Sequence, residues 1–355
     1  MNPVSSKPKI LLCISSSRWG GGERHVFDLI KGLSPQFEFT LLYEPGGVLE
    51  EEAHSLGIDL IPHSFSEGTL IKRCSSLLAK IKEGRFDGIH THLNQASFQT
   101  SLLRPLIKKP LLATVHGFSS LLYYALPHHL IAVSKAIETF LSPWYDDKTS
   151  CIYNGLNQEP MQPKEDSEGI PNTFVFATIH PNKGQTFVVE ACLSTPPTSK
   201  ITFVGRGSKK HENKLKRLTN LGEAKSRFEW IQKIGDLESY WEVADFIIVP
   251  SYKEALSYVA LEAQVRNIPV LASRTGGLKE IITEGEGGLY FEPGNQGSFR
   301  RSLLEMEKRH REFKKHLQAN PFLEQNPQFQ MQTMLEKTKE IYKIVFNLKE
   351  TQPEN

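Results

Sequence analysis

Short β-branched and apolar runs alternate with amphipathic stretches along almost the whole chain, and this alternation restricts the fold more than any single motif. PKILLCIS, FEFTLLYE, FDGIHTH, PLLATVHG, LIAVS and TSCIYN read as strands, each followed by a turn signal or a helical pattern. TFVFATI, KITFVGRG, DFIIVPS, IPVLAS and GGLYFEP repeat the scheme in the second half. Strands separated by helices must run parallel, and continuous apolar runs fit strands covered on both faces. Between the halves lies NQEPMQPKEDSEGIPN, rich in proline and charge and without periodicity, as a linker should be. The expected α/β architecture is two doubly wound parallel-sheet domains, residues 1–165 and 166–330, facing across a cleft. Ligands of such sheets bind beyond the carboxyl ends of the strands.

A chain of 355 residues is long enough for two such cores. Its formal charge of +2 leaves no overall basic footprint, so nucleic acid is not an expected partner. Cys13, Cys74, Cys151 and Cys192 lack CxxC spacing and imply neither a zinc motif nor a disulfide framework. The first residues have too short an apolar core for a secretory signal, and no stretch approaches the ~20 apolar residues that cross a bilayer. A cytoplasmic protein is expected. QTMLEKTKEIYKIVFNLK has helical spacing and must bury Met334, Ile341, Tyr342, Ile344 and Val345 somewhere. The tail beyond residue 349 reads as frayed.

The most informative segment is YKEALSYVALEA, residues 252–263, which sets Glu254 and Glu262 in apolar surroundings directly after a strand. A helix beginning near Glu254 would hold the two carboxylates ~12 Å apart along its axis. Leu256, Val259, Ala260 and Ala263 would form the buried face, with Glu262 at its margin. Its first N–H groups would form an anion site between two acceptors for hydroxyls. A nucleotide-sugar has matching parts in matching order: sugar, diphosphate, ribose. The plainer alternative is that Glu254 favours the helix dipole and Glu262 is a solvated edge residue.

Three loops at strand ends add to this. RTGGLKEI places Gly276 and Gly277 between strand and helix, either for backbone approach to a ligand or for a tight turn. HPNKGQ places Lys183 where a mobile point charge could reach a phosphate, or where it could be an exposed loop lysine. SRWGGGERHVFDLI opens a helix after the first strand, but it is not GxGxxG and no acid follows at the place a nicotinamide cofactor requires. His90 and His92 in HTHLNQ lack the Cys, Asp or Glu neighbours of a metal cluster and read as structural or acceptor-site residues; no metal is expected. Asp146 and Asp147 read as a solvated turn. In residues 69–85, Leu70, Ile71, Cys74, Leu77, Leu78 and Ile81 form one stripe flanked by lysines and arginines. Such a helix either packs on its own sheet or contacts a membrane surface peripherally.

Taken in order, GGGE, HTH, TVHGF, IYNGLN, NKG, VGRG and PSYKEALSYVALEA followed by IPVLASRTGGLKEII resemble the family-4 glycosyltransferases, retaining enzymes of the GT-B fold with two Rossmann-like domains. The resemblance implies transfer of a hexose-type sugar from a nucleotide-diphosphate donor, with no cofactor beyond that co-substrate. The acceptor would be a glycan, a lipid-linked molecule or a small molecule, in cell-surface polysaccharide or glycolipid synthesis at the inner face of the membrane or free in the cytoplasm. It implies that Glu254 contacts the donor sugar's hydroxyls, Glu262 the ribose and Lys183 the diphosphate, and that His116 lies against the transferred sugar. Gly21, Gly22, Gly205, Ala255, Leu256, Ser257, Gly276 and Gly277 are the further donor-binding positions it implies. The last helix, 331–349, would cross back onto the N-terminal domain.

Thr178 stands where the family usually has an arginine, five residues before Lys183. Charge-assisted contacts are the strong phosphate contacts, so Arg18, Arg206 and Arg274 are the candidate substitutes. Asn267 replaces a usual glycine two residues before Pro269, and Gln232 replaces another. A weakly catalytic nucleotide-sugar sensor or scaffold and a nucleotide-sugar epimerase of the same fold are the alternatives.

Overall fold

The computed structural model describes residues 7–157, 169–193, 195–221, 223–232 and 237–348. The chain forms two compact units, the first made of Met1–Gly155 and Met331–Asn355, the second of Leu156–Gln330. The expected boundary near residue 165 and the tail beyond 349 lie outside the described residues. Among the described residues no helix is long and apolar enough to cross a membrane.

Unit 1 contains seven strands: β1 (Lys9–Ile14), β2 (Glu38–Tyr43), β3 (Asp59–Pro62), β4 (Gly88–His92), β5 (Leu111–Val115), β6 (His129–Ala132) and β7 (Thr149–Cys151). They pair in the order β3-β2-β1-β4-β5-β6-β7, every pair parallel. Unit 2 contains β8 (Asn172–Phe176), β9 (Lys200–Val204), β10 (Phe228–Ile231), β11 (Phe246–Val249), β12 (Val270–Ser273) and β13 (Gly288–Phe291). Their order is β10-β9-β8-β11-β12-β13, again all parallel. Each sheet winds outward from its first strand, returns to the middle and winds outward the other way. The reversal falls between β1 and β4 in unit 1 and between β8 and β11 in unit 2, and such switch points open a crevice at the carboxyl ends.

Alternation along β1 shows why the runs are continuously apolar. Ile10, Leu12 and Ile14 enter a core with the helix Gly21–Leu33 and the last helix, while Leu11 and Cys13 enter a second core with the helices Leu70–Glu83 and Asn94–Leu103. Two strands escaped the sequence reading, β3 and β10. Both are four-residue edge strands with half-exposed positions, so they lack the apolar run that marks the others.

Two amphipathic faces differ from expectation. The last helix, Met331–Phe346, belongs to unit 1 and buries Met334, Thr338, Tyr342 and Phe346, a stripe advancing by four residues. Ile344 is 72% exposed, because two residues beyond Tyr342 the helix has turned its side chain about 200° away. In Leu70–Glu83 the contact is made by Leu77 and Ile81, while Ile71 is 79% exposed at the first turn.

Candidate functional site

The switch point of unit 2 holds an ion pair. Lys183, at the end of the Pro181–Lys183 turn after β8, donates from Nζ to Glu254 Oε2 at 2.7 Å. Glu254 sits in the loop after β11 and also accepts from Ser251 Oγ at 2.8 Å. The Lys183 side chain is 33% exposed and that of Glu254 11%, so the pair is screened less than a surface pair. Asn182 locks the two loops together: its side-chain amide donates to Lys253 O at 2.9 Å and its carbonyl accepts from Tyr252 N at 2.8 Å.

The helix does not start at Glu254. It spans Tyr258–Val265, with Ser257 as an extended N-cap whose Oγ accepts from Ala260 N. Serine satisfies an otherwise orphaned helix N–H, which lets the preceding residues remain a loop. Glu254 and Glu262 therefore share no helix, and the 12 Å axial spacing does not hold. Leu256, Ala260 and Ala263 are buried as expected and Glu262 is half-buried, but Val259 is only half-buried and Tyr258 is buried in addition, because the helix is covered on nearly all sides. Ala255, Leu256 and Ser257 are buried in the loop.

The glycine pair serves the protein first. A side chain on Gly277 would strike the Ala255 carbonyl at 2.1 Å, and Gly277 N donates to Glu254 O at 3.0 Å. Gly276 makes the turn, and Gly205 passes equally close to the Ala177 carbonyl. Gly184, unremarked in the sequence, has φ +72 and passes 2.1 Å from the Pro250 carbonyl where a Cβ would stand, joining the lysine turn to the glutamate loop. The glycines thus press backbone against backbone and so place Lys183 and Glu254. Thr178 offers its carbonyl to Gln185 Nε2 and brings no cation. Of the candidate substitutes, Arg274 pairs with Glu284 at 2.6 Å and Glu292 at 3.4 Å and lies over Tyr290. Arg206 in unit 2 and Arg18 in unit 1 are exposed.

The switch point of unit 1 is lined by a different chemistry. A pocket of about 480 Å³ is bounded by Ser15 after β1, Leu93 and Asn94 after β4, and His116, Phe118 and Tyr124 after β5. Leu93 has φ 67 and ψ 166, a conformation normally reserved for glycine. Such strain, of order 1–3 kcal/mol, persists only where surroundings enforce it and concentrates at functional sites. Gly22 lies in the first turn of the helix Gly21–Leu33 that packs beside it, where a Cβ would meet Leu93 at 2.9 Å and His116 at 3.7 Å. Gly21 is exposed in the same first turn. Glu23, which the sequence does not mark as a site residue, is buried; burial raises its pKa, opposed by hydrogen bonds from the Ser16 hydroxyl and from backbone N–H groups.

His92 Nδ1 and His116 Nε2 share a hydrogen bond of 3.1 Å. His90 is tied to Tyr342 at 2.8 Å and to Thr114 at 2.7 Å, so the HTH pair splits into one structural and one site residue. Burial depresses the pKa values of His25, His90, His92 and His116; that of His25 falls to about 4, and the neighbouring imidazoles push the other three down further. Among the described residues His25, His92 and His116 are the group spaced for a metal, with one nitrogen of each within 4.8 Å of the others. The hydrogen bond between His92 Nδ1 and His116 Nε2 already uses one nitrogen of each of those rings.

Residues 157–320 match the family described as Glycosyl transferases group 1, and residues 19–159 match Glycosyltransferase Family 4. An uncharacterized glycosyltransferase of Methanocaldococcus jannaschii is 28% identical over 321 residues, spanning 81% of this chain and 84% of its own. The fold is similar to that of Anabaena HepE in complex with UDP-glucose, with a TM-score of 0.82, 18% identity and coverage of 95% and 99% of the two chains. It is also similar to sucrose-phosphate synthase of Thermosynechococcus elongatus, with a TM-score of 0.78, 18% identity and coverage of 96% and 100%. With both signatures in sequence along two doubly wound sheets, the chain belongs to the family-4 glycosyltransferases of the GT-B fold.

Proposed function

We propose that this glycosyltransferase moves a hexose, with retention, from a nucleotide-diphosphate donor held by unit 2 to a glycan, lipid-linked or small-molecule acceptor held by unit 1. The observation that carries the reading is the Lys183–Glu254 pair at the β8/β11 switch point. UDP-glucose in the similar Anabaena protein supports a nucleotide-sugar as the donor.

In this reading the pair is a resting arrangement. An arriving diphosphate draws the Lys183 ammonium to itself, and Glu254 is left with a carboxylate, steadied by Ser251, to accept hydrogen bonds from sugar hydroxyls. As the glycosidic bond breaks, negative charge grows on the diphosphate, and Lys183 is placed to stabilise it. Glu262 is assigned to the ribose and the backbone of Ala255 to Ser257 to the phosphates. The acceptor's proton passes to the leaving diphosphate, so no protein base is required. The pathway is assigned to polysaccharide or glycolipid synthesis on the cytoplasmic side.

Melting temperature measured against nucleotide diphosphates and their sugars tests the donor. A ligand selective for the folded state raises it, and Lys183→Ala reduces the rise. No shift with any nucleotide or nucleotide-sugar overturns the proposal.

A further inference from the structure

We infer that His92 is a positioning residue that holds His116 in the tautomer protonated on Nδ1, so that His116 meets its ligand as a hydrogen-bond donor and not as a base. The inference rests on the reading that His116 faces a ligand, but the tautomer itself is measurable without one.

The argument begins with proton counting. A neutral imidazole carries one N–H, and the His92–His116 contact needs one proton between its two nitrogens. Both rings are neutral, for the groups that face them are His25, His90 and each other, with no carboxylate among them to favour a charged form. Two arrangements remain. If His116 donates from Nε2, the His92 proton must sit on Nε2, which is buried without an acceptor. His25 does not help, because neither of its ring nitrogens forms a hydrogen bond of normal geometry; Asn154 beside it opposes the lowering of its pKa by burial.

If His92 donates from Nδ1, its Nε2 keeps a bare lone pair. A buried N–H without an acceptor is the rarer omission in folded proteins, so this second arrangement prevails. His116 Nε2 then accepts, and its own proton lies on Nδ1. No hydrogen bond reaches that nitrogen among the described residues, and the ring lines the pocket beside Ser15, Asn94 and Tyr124.

The support behind His92 is rigid. Its ring lies 4.1 Å from that of His90, which is fixed at both nitrogens by Tyr342 and Thr114. The next residue is the strained Leu93. Such bracing suits a residue that must hold one orientation. The ligand atom opposite His116 must accordingly be an acceptor: a hydroxyl, ring or phosphate oxygen.

The test is the imidazole ¹⁵N spectrum of the full chain labelled at histidine, with His116 assigned by its loss in His116→Gln. A protonated Nδ1 and a bare Nε2 at neutral pH are expected; the opposite pattern, or an imidazolium, overturns the inference whatever the transfer rate. Two replacements separate positioning from packing. His92→Asn puts an amide N–H where Nδ1 stands and should keep both the tautomer and the turnover, whereas His92→Gln reaches towards Nε2. His92→Gln should lose the tautomer and about tenfold in turnover, the worth of one buried hydrogen bond. Equal loss in both overturns the positioning role. If His116→Gln transfers at the wild-type rate while the spectrum is as expected, the ligand-facing reading falls and the tautomer assignment stands.

Discussion

The two units share a plan and differ in the chemistry at its functional point. Each is a parallel sheet whose winding reverses next to its first strand, and each carries candidate site residues just past that reversal. Unit 2 places a lysine and a carboxylate there, held by backbone packed against glycine. Unit 1 places neutral imidazoles, hydroxyls and aromatic rings there. The scaffold therefore determines where a site can be, and the few residues just past the strand ends determine what it can bind. A charged pair suits a ligand that brings its own charge, while an uncharged lining makes hydrogen bonds without demanding a counterion.

Acid should separate the units most strongly. His25 and His63 have pKa values lowered to about 4 by burial, and burial also lowers those of His90 and His92, all in unit 1. Below the unfolded value near 6.5 the unfolded chain binds more protons than the folded one. Stability is therefore full above pH 6.5 and falls as pH drops towards 4, by about 1.4 kcal/mol per pH unit for each such histidine. Hydrogen exchange read by fragment at pH 7.5 and pH 5 should show protection lost first around β4 and β5. Equal loss around β11 and β12 would break the comparison.

Next in size is the ion pair. Lys183→Ala and Glu254→Ala should each lower transfer by about a hundredfold, as removal of one preorganised charge-stabilising group does. Lys183→Ala should also cost about 1–2 kcal/mol in urea unfolding, because it leaves a mostly buried carboxylate with only Ser251 as partner. Wild-type kinetics in both variants would remove unit 2 from the chemistry.

The smallest effect expected concerns Asn267. It has φ +58 just after the helix Tyr258–Val265, which explains why glycine is usual at this position and why asparagine, the next most tolerant residue, can replace it. Asn267→Ala should destabilise unit 2 by about 1 kcal/mol, and Asn267→Gly should be neutral or slightly stabilising. The two stabilities compared at one pH give the answer.

Sequence patterns revealed some elements and hid others for identifiable reasons. Buried central strands announce themselves because both faces are apolar; β3 and β10 do not, being short and at the edge. Lys183 and Glu254 stood out as candidates because they follow such strands within a few residues, and His116 only through the family motif TVHGF. His25 was not, since a histidine in the amphipathic helix Gly21–Leu33 carries no local mark of the two imidazoles it will meet. Gly184 was hidden likewise, its role depending on the Pro250 carbonyl in a loop far along the sequence, and Ser251, three residues before Glu254, carries no local mark of the hydrogen bond it makes to that carboxylate.

By itself, then, the order of residues determined two parallel α/β sheets, the ends of their central strands and the family of the chain, all of which rest on local periodicity and short motifs. Only the folded structure decided that Glu254 lies in a loop beside Lys183, that Arg274 is engaged by two carboxylates, and that three histidines from separate segments converge. The first and last of these depend on contacts between segments far apart in sequence, and the Arg274 pairing, though its carboxylates lie within twenty residues, depends on how the turn and strand between them fold.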